Sequence, residues 1–236
     1  MSNDDFFETC RKLLINVLEH ANVDSGHGID HADIVVKHAE QALNHQDGLS
    51  DDEKLAVRLA ALLHDADDSK FFPNSIGNSN ANMILDSAEL SDDIINLTIR
   101  MISLVSCSKN RNETVKPAWL LIPRWADRLE AMGDIGIKRC FDYTMHTKRP
   151  LFLSSTPRAT TPEDLAMIAT PERFAEYRGK SASMMDHFYD KLLHLVNMKT
   201  NNEYLVTQAQ LRHEVLVNYC LEFGRTGMVS TPKPQN

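Results

Sequence analysis

Residues 50–68 read SDDEKLAVRLAALLHDADD, and this stretch decides the fold class. Ser50 followed three residues later by Glu53 has the form of a capping box, in which two side chains satisfy backbone N–H groups at a helix start. Leu55 to Leu63 is apolar except for Arg58 and favours helix. Arg58 interrupts the run and His64 ends it, so it falls short of a membrane span. The helix then stops in a histidine and three carboxylates: His64, Asp65, Asp67 and Asp68.

The same periodicity extends in both directions. Phe6, Phe7, Cys10, Leu13, Leu14, Val17 and Leu18 form a stripe at three-to-four spacing, which predicts a helix over residues 4–22. A glycine-containing turn, DSGHG, follows, and Ile29–Leu43 repeats the pattern through Ile34, Val35, Ala39 and Ala42. After the loop FFPNSIGNSN, helices are expected over 79–88 and 91–107, the second opened by Ser91 with Asp92 and Asp93. One more is expected over 117–146, with Pro123 kinking or delaying it. Residues 147–162, TKRPLFLSSTPRATTP, read as a long loop of the kind that is often functional. Short helical pieces over 162–178 and longer helices over 181–197 and 201–224 complete the pattern. There is no internal repeat, low-complexity tract or convincing run of strands, so the expected class is all-α. The expected organisation is one helical domain over 1–224, with a metal-ligand core over 20–146, C-terminal helices over 162–224 and a disordered tail at 225–236.

At 236 residues the chain can build one sizeable core, with room for a small second lobe. Its 42% hydrophobic and 25% charged content is that of a water-soluble globular protein. The acidic N-terminus, MSNDDFFETCRK, lacks the basic region of a signal peptide. Cys10, Cys107, Cys140 and Cys220 lie far apart with no CxxC pair, which disfavours a zinc ribbon and suits reduced thiols in a cytoplasmic setting. A net charge of −8 argues against wide contact with a nucleic-acid polymer, whereas a small anion could bind beside a metal or a basic cluster. The oligomeric state is not legible.

Neighbouring helical residues point about 100° apart, so His64 and Asp65 reach one ion only where the helix ends. HGIDH places His27 and His31 four residues apart, and RWADRLEAMG puts Asp127 in another helix. Two imidazoles and two carboxylates from three helices suit a borderline-hard divalent metal with open water positions.

His31, then His64-Asp65, then Asp127 resembles the H…HD…D pattern of the HD superfamily of metal-dependent phosphohydrolases. ADRLEAMGDIGIKRCF at 126–141 and HFYDKLL at 187–193 resemble two segments of a branch of small soluble HD proteins from bacteria and fungi, some of them nucleotide pyrophosphohydrolases. The resemblance covers roughly residues 20–220. It departs at Gly26–Gly28, where the branch often has SHD, and at Trp125, where it often has Asp. Residues 66–126 hold no histidine, so the extra ligands of two-metal HD proteins are missing and one ion is expected.

The resemblance implies an HD-domain helical bundle binding one divalent ion through His31, His64, Asp65 and Asp127. Mn²⁺ is favoured, with Fe²⁺, Ni²⁺, Co²⁺ or Mg²⁺ as alternatives. It implies hydrolysis of a (d)NTP to monophosphate and pyrophosphate by a metal-activated hydroxide. Asp68 or Asp67 would orient or deprotonate the water, with Asp68 preferred. Lys70, Arg128, Lys191 and Arg212 are candidate phosphate contacts, and His27 and His187 candidate hydrogen-bond donors to phosphate or leaving group. His187 and Lys191, four residues apart, equally suit a solvated helix face. Alternatives are a phosphomonoesterase and a non-catalytic ligand-binding or regulatory module.

Overall fold

The computed structural model describes residues 2–21, 23 and 28–232. All regular structure among them is helical. Contacts divide the chain into two compact units, residues 1–127 with 202–204, and residues 128–201 with 205–236.

The first unit is built round α3 (Asp51–Leu63). The expected capping box starts it: Glu53 N–H donates to Ser50 Oγ at 3.2 Å, and Ser50 N–H to Glu53 Oε2 at 2.8 Å. Leu55–Val57 and Leu59–Leu63 are all buried, so α3 is the central helix of its unit. It packs against α1 (Asn3–His20), α2 (Ile29–Leu43) and α5 (Asp92–Val105). These present Phe7, Cys10, Leu14 and Leu18, then Val35, Ala39 and Ala42, then Met101, Ile102 and Val105. Arg58, the one charge in the run, survives half-buried because its guanidinium donates to Glu40 (2.9 Å) and Asp4 (2.8 Å) and lies over the Phe7 ring. α4 (Ser79–Ser87) packs on α1 and α5, and a short α6 (Cys107–Asn110) follows.

The expected single helix over 117–146 is broken into a 3₁₀ turn (Ala118–Leu121), α7 (Ile122–Glu130) and α8 (Gly133–His146). Gly133 adopts φ +68, a left-handed value that costs a side-chain-bearing residue but not glycine. A Cβ on Gly136 would lie 2.4 Å from the Ala131 carbonyl, so the start of α8 folds back tightly on the residue before the break. The division between the two units falls within α7, between Asp127 and Arg128.

In the second unit, α9 (Pro162–Ile168) and α10 (Pro171–Glu176) are short, as expected, each with a Thr N-cap and Pro at the first helical position. The helix expected over 181–197 is only α11 (Met184–Asp190) followed by a 3₁₀ turn (Leu192–His194), because Lys191 leaves helical geometry at φ −137, ψ −59. The irregular segment 147–162 is tied down. Thr156 Oγ donates to buried Asp186 (3.0 Å), Tyr189 OH donates to Pro157 O (3.1 Å), and Met184 and Met185 N–H donate to Pro150 and Leu151 O (3.0 Å each). α12 (Glu203–Thr226) runs two residues past its expected end, and Tyr219 OH on it donates to Ser230 O at 2.8 Å.

Candidate metal centre

Three helices of the first unit bring together His31, His64 and Asp127. His31 lies in the first turn of α2, His64 is the C-cap of α3, and Asp127 sits on α7. One ligand atom from each falls within 4.8 Å of the others. Asp127 Oδ1 is 3.5 Å from both His31 Nε2 and His64 Nε2. Asp65 joins them, its Oδ2 3.5 Å from His64 Nε2 and 3.9 Å from His31 Nε2. Donor atoms each about 2.1 Å from a shared ion lie about 3–4 Å apart, so the spacing fits a single small cation.

The tautomer of His64 is fixed. Its Nδ1 lies 2.8 Å from the Ala61 carbonyl, which can only accept, so Nδ1–H donates and Nε2 is presented to the cluster. Nε2 is buried, and its nearest acceptors at 3.5 Å leave it without a good hydrogen bond. A buried, correctly oriented imidazole nitrogen facing two carboxylates is what a metal ligand requires. Charges tell the same story. Burial opposes protonation of His64, but Asp65 and Asp127 outweigh it and hold its pKa up at about 9. Burial likewise works against ionised Asp127, yet His31 and His64 outweigh it and hold the carboxyl well below its usual range. The centre therefore stabilises positive charge between its carboxylates.

The residues just beyond diverge. Asp67 accepts from Asn80 N–H (2.9 Å), Ala81 N–H (3.0 Å) and the Ser75 hydroxyl, so its carboxylate is committed to the start of α4. That is the physical reason to set it aside as the residue handling water. Asp68 is half-buried, accepts from Lys70 N–H at 2.9 Å, and has the Lys70 ammonium 3.9 Å away. A cavity of about 420 Å³ opens beside this turn, lined by Asn16, Val17, His20, Ala21, Phe72 and Asn80.

The other expected contacts belong to the second unit or lie outside the described residues. His27 lies outside the described residues. Arg128 is buried at 2% exposure. Arg212 donates to Leu129 O (2.7 Å) and the buried Glu130 carboxylate (2.9 Å), which makes it a brace for the end of α7 rather than a free phosphate contact. His187 and Lys191 are both half-buried in the second unit. The sequence reading missed the Ala61 carbonyl, whose signal is its place three residues before a histidine at a helix end.

No family model matches the chain. The uncharacterized protein L803 of Acanthamoeba polyphaga mimivirus is 42% identical over 216 residues, spanning 84% of this chain and 88% of L803. A Lactobacillus plantarum protein structure superposes with TM-score 0.68 at 23% identity, covering 93% of this chain and 95% of the other. An HD-superfamily hydrolase of Bacillus thuringiensis gives 0.66 at 23% identity, covering 94% and 96%. Bacillus subtilis YpgQ in complex with ADP gives 0.67 at 21% identity, covering 95% and 96%. The chain thus belongs to one family with L803, and its fold is the all-helical fold of the HD superfamily.

Proposed function

We propose that the chain is a metal-dependent phosphohydrolase acting on a nucleotide, with (d)NTP pyrophosphohydrolysis as its best reading. The observation that supports it most is the convergence of His31, His64, Asp65 and Asp127 with His64 Nε2 turned inward by the Ala61 carbonyl. An ion held there would lower the pKa of a water and draw charge from a phosphoryl oxygen. The mixed nitrogen and oxygen donors suit Mn²⁺, and equally admit Fe²⁺, Co²⁺, Ni²⁺ or Mg²⁺. Water adds at the α-phosphorus while its bond to the bridging oxygen breaks, giving monophosphate and pyrophosphate. Asp68, with its carboxylate not spent on a helix start, takes the proton of the attacking water. Lys70, two residues on, steadies the phosphate. The solved neighbour YpgQ binds ADP, and its ligand class supports a nucleotide here. Among the described residues no helix is long and apolar enough to cross a membrane, and the four cysteines are free thiols, which supports a cytosolic setting.

The test is a substrate screen of metal-stripped protein reloaded with Mn²⁺, with pyrophosphate and orthophosphate detected separately. Pyrophosphate release from a nucleoside triphosphate, absent in Asp65→Ala, is the expected result. Orthophosphate release would instead assign a phosphomonoesterase, and silence from metal-loaded protein on all substrates would overturn the hydrolase reading in favour of a binding module.

A further inference from the structure

Two basic residues of the second unit, Arg149 and Lys191, have no acidic partner among the described residues. The carbonyls of Pro150 and Leu151 accept from Met184 and Met185 N–H, each at 3.0 Å, which lays the segment after Arg149 along the start of α11. Arg149 N–H donates to Thr144 O in the last turn of α8 (3.0 Å), and α8 itself packs on α11. Lys191 N–H donates to His187 O at 3.0 Å, so Lys191, the C-cap of α11, follows His187 by one backbone turn. All three side chains are half-buried. Arg149 and Lys191 both lie close enough to act by charge on the His187 imidazole and on the Cys140 thiol of α8, and no carboxylate counters them at either group.

Four other arginines of this chain are paired with acids: Arg11 with Asp33, Arg58 with Asp4 and Glu40, Arg173 with Asp186 and Asp190, Arg212 with Glu130. Among the described residues Arg149 and Lys191 form no ion pair, in a chain of net charge −8 where carboxylates outnumber cations. Two like charges brought together beside a histidine cost free energy unless an anion joins them. His187 Nδ1 faces the Ser181 hydroxyl at 3.4 Å, which leaves Nε2 as the nitrogen able to donate to such an anion.

We infer that Arg149, Lys191 and His187 form a receptor for a polyphosphate anion, the chemistry shared by a nucleoside triphosphate and free pyrophosphate. The inference deepens the phosphohydrolase reading and rests on it for the identity of the anion. Arg149 offers a planar fork to two phosphate oxygens, Lys191 a point charge, and His187 one donor.

The test is calorimetric titration of inorganic pyrophosphate into the full chain in EDTA, with the His187 ring proton followed by NMR across pH. Arg149→Gln and Lys191→Gln are each expected to weaken binding at least tenfold, and Lys12→Gln, on the exposed face of α1, to leave it unchanged. Bound pyrophosphate is expected to raise the pKa of His187, because an anion favours the imidazolium. Equal affinity in the wild-type chain and the Arg149→Gln, Lys191→Gln double variant, or a His187 titration unmoved by pyrophosphate, would overturn the inference. Competition separates the sources. A nucleoside triphosphate that displaces pyrophosphate names the substrate, and one that does not names the free anion, the receptor standing in both cases. Variant-sensitive pyrophosphate binding with no nucleotide turnover by the Mn²⁺-loaded chain would remove the hydrolase reading and keep the receptor. Turnover without variant-sensitive binding would do the reverse.

Discussion

Asp67 and Asp68 stand side by side after the HD pair, and replacing Asp67 separates a structural carboxylate from the one proposed to be catalytic. The N-cap of α4, Asn78, has left-handed geometry at φ 58 and makes no side-chain cap bond. Asp67 supplies the missing cap from the preceding turn, accepting from the second and third helical N–H groups, Asn80 at 2.9 Å and Ala81 at 3.0 Å, and from the Ser75 hydroxyl. Losing a cap costs about 1 kcal/mol, and losing a carboxylate at a helix N-terminus about 0.3–1 kcal/mol more. The side chain is half-buried, so water re-solvates the orphaned donors only in part, and Asp67→Ala should cost about 2 kcal/mol. In Asp67→Asn one oxygen still accepts, while the amide NH₂ faces a backbone N–H, so the cost should be about half as large. Urea unfolding followed by circular dichroism measures both values. Turnover per folded molecule should stay near wild type in Asp67→Asn and collapse in Asp68→Asn with metal content intact. A stable Asp67→Asn protein that has lost turnover would refute the assignment of Asp67 to the α4 cap.

Three further outcomes follow from the geometry. Mn²⁺ at 100 times its Kd should stabilise the chain by about 2.7 kcal/mol and raise Tm by roughly 5–10 °C, an effect that Asp127→Ala should abolish in a thermal-shift assay. A Cβ on Gly224 would lie 1.7 Å from the Ala159 carbonyl oxygen, so Gly224→Ala must push the 147–162 segment off α12, at a cost of about 3 kcal/mol by chemical denaturation. Burial lowers the pKa values of His187, His194 and His213 in the folded chain; Lys191 and Arg149 add to the effect at His187, and the Tyr189 carbonyl partly opposes it at His194. The unfolded chain then binds more protons than the folded one below the ordinary value of 6.5, so these groups' stabilisation is present above it and lost as pH falls. His64, held up at about 9, works the other way above pH 6.5, so the fall is expected below it: Tm measured from pH 6.5 down to 5 should drop, and less steeply in His187→Gln.

What was legible in the sequence was local. The Ser50–Glu53 box, the α1 stripe and the order of His31, His64, Asp65 and Asp127 depend on residues within a turn of one another or on a fixed pattern. The breaks at Gly133 and Lys191 were missed because apolar periodicity continues across them. What stops the helices is a left-handed glycine in one case and an irregular backbone at Lys191 in the other. The ordered path of residues 147–162 depends on Asp186 and Tyr189, about thirty residues downstream, which no local pattern reports. Arg212 looked like a free cation because its partner Glu130 lies 82 residues away.

The end of α3 shows why the chain concentrates titratable groups there. Had the helix continued, His64 and Asp65 would point about 100° apart and only one could face the centre. Instead His64 keeps helical angles (φ −59, ψ −30), while Ala66 N–H bonds to Leu63 O and Asp68 N–H to Asp65 O, both three residues back rather than four. The tightened turn brings Asp65 Oδ2 within 3.9 Å of His31 on α2. The same turn sends Asp67 to α4, and Asp68 stays beside Lys70. One helix terminus thus divides four polar side chains within five residues: His64 and Asp65 go to the candidate metal centre, Asp67 to the α4 cap and Asp68 to the water role proposed for it. Inserting an alanine between His64 and Asp65 should uncouple all three together, with metal binding, α4 stability and turnover lost in a single variant.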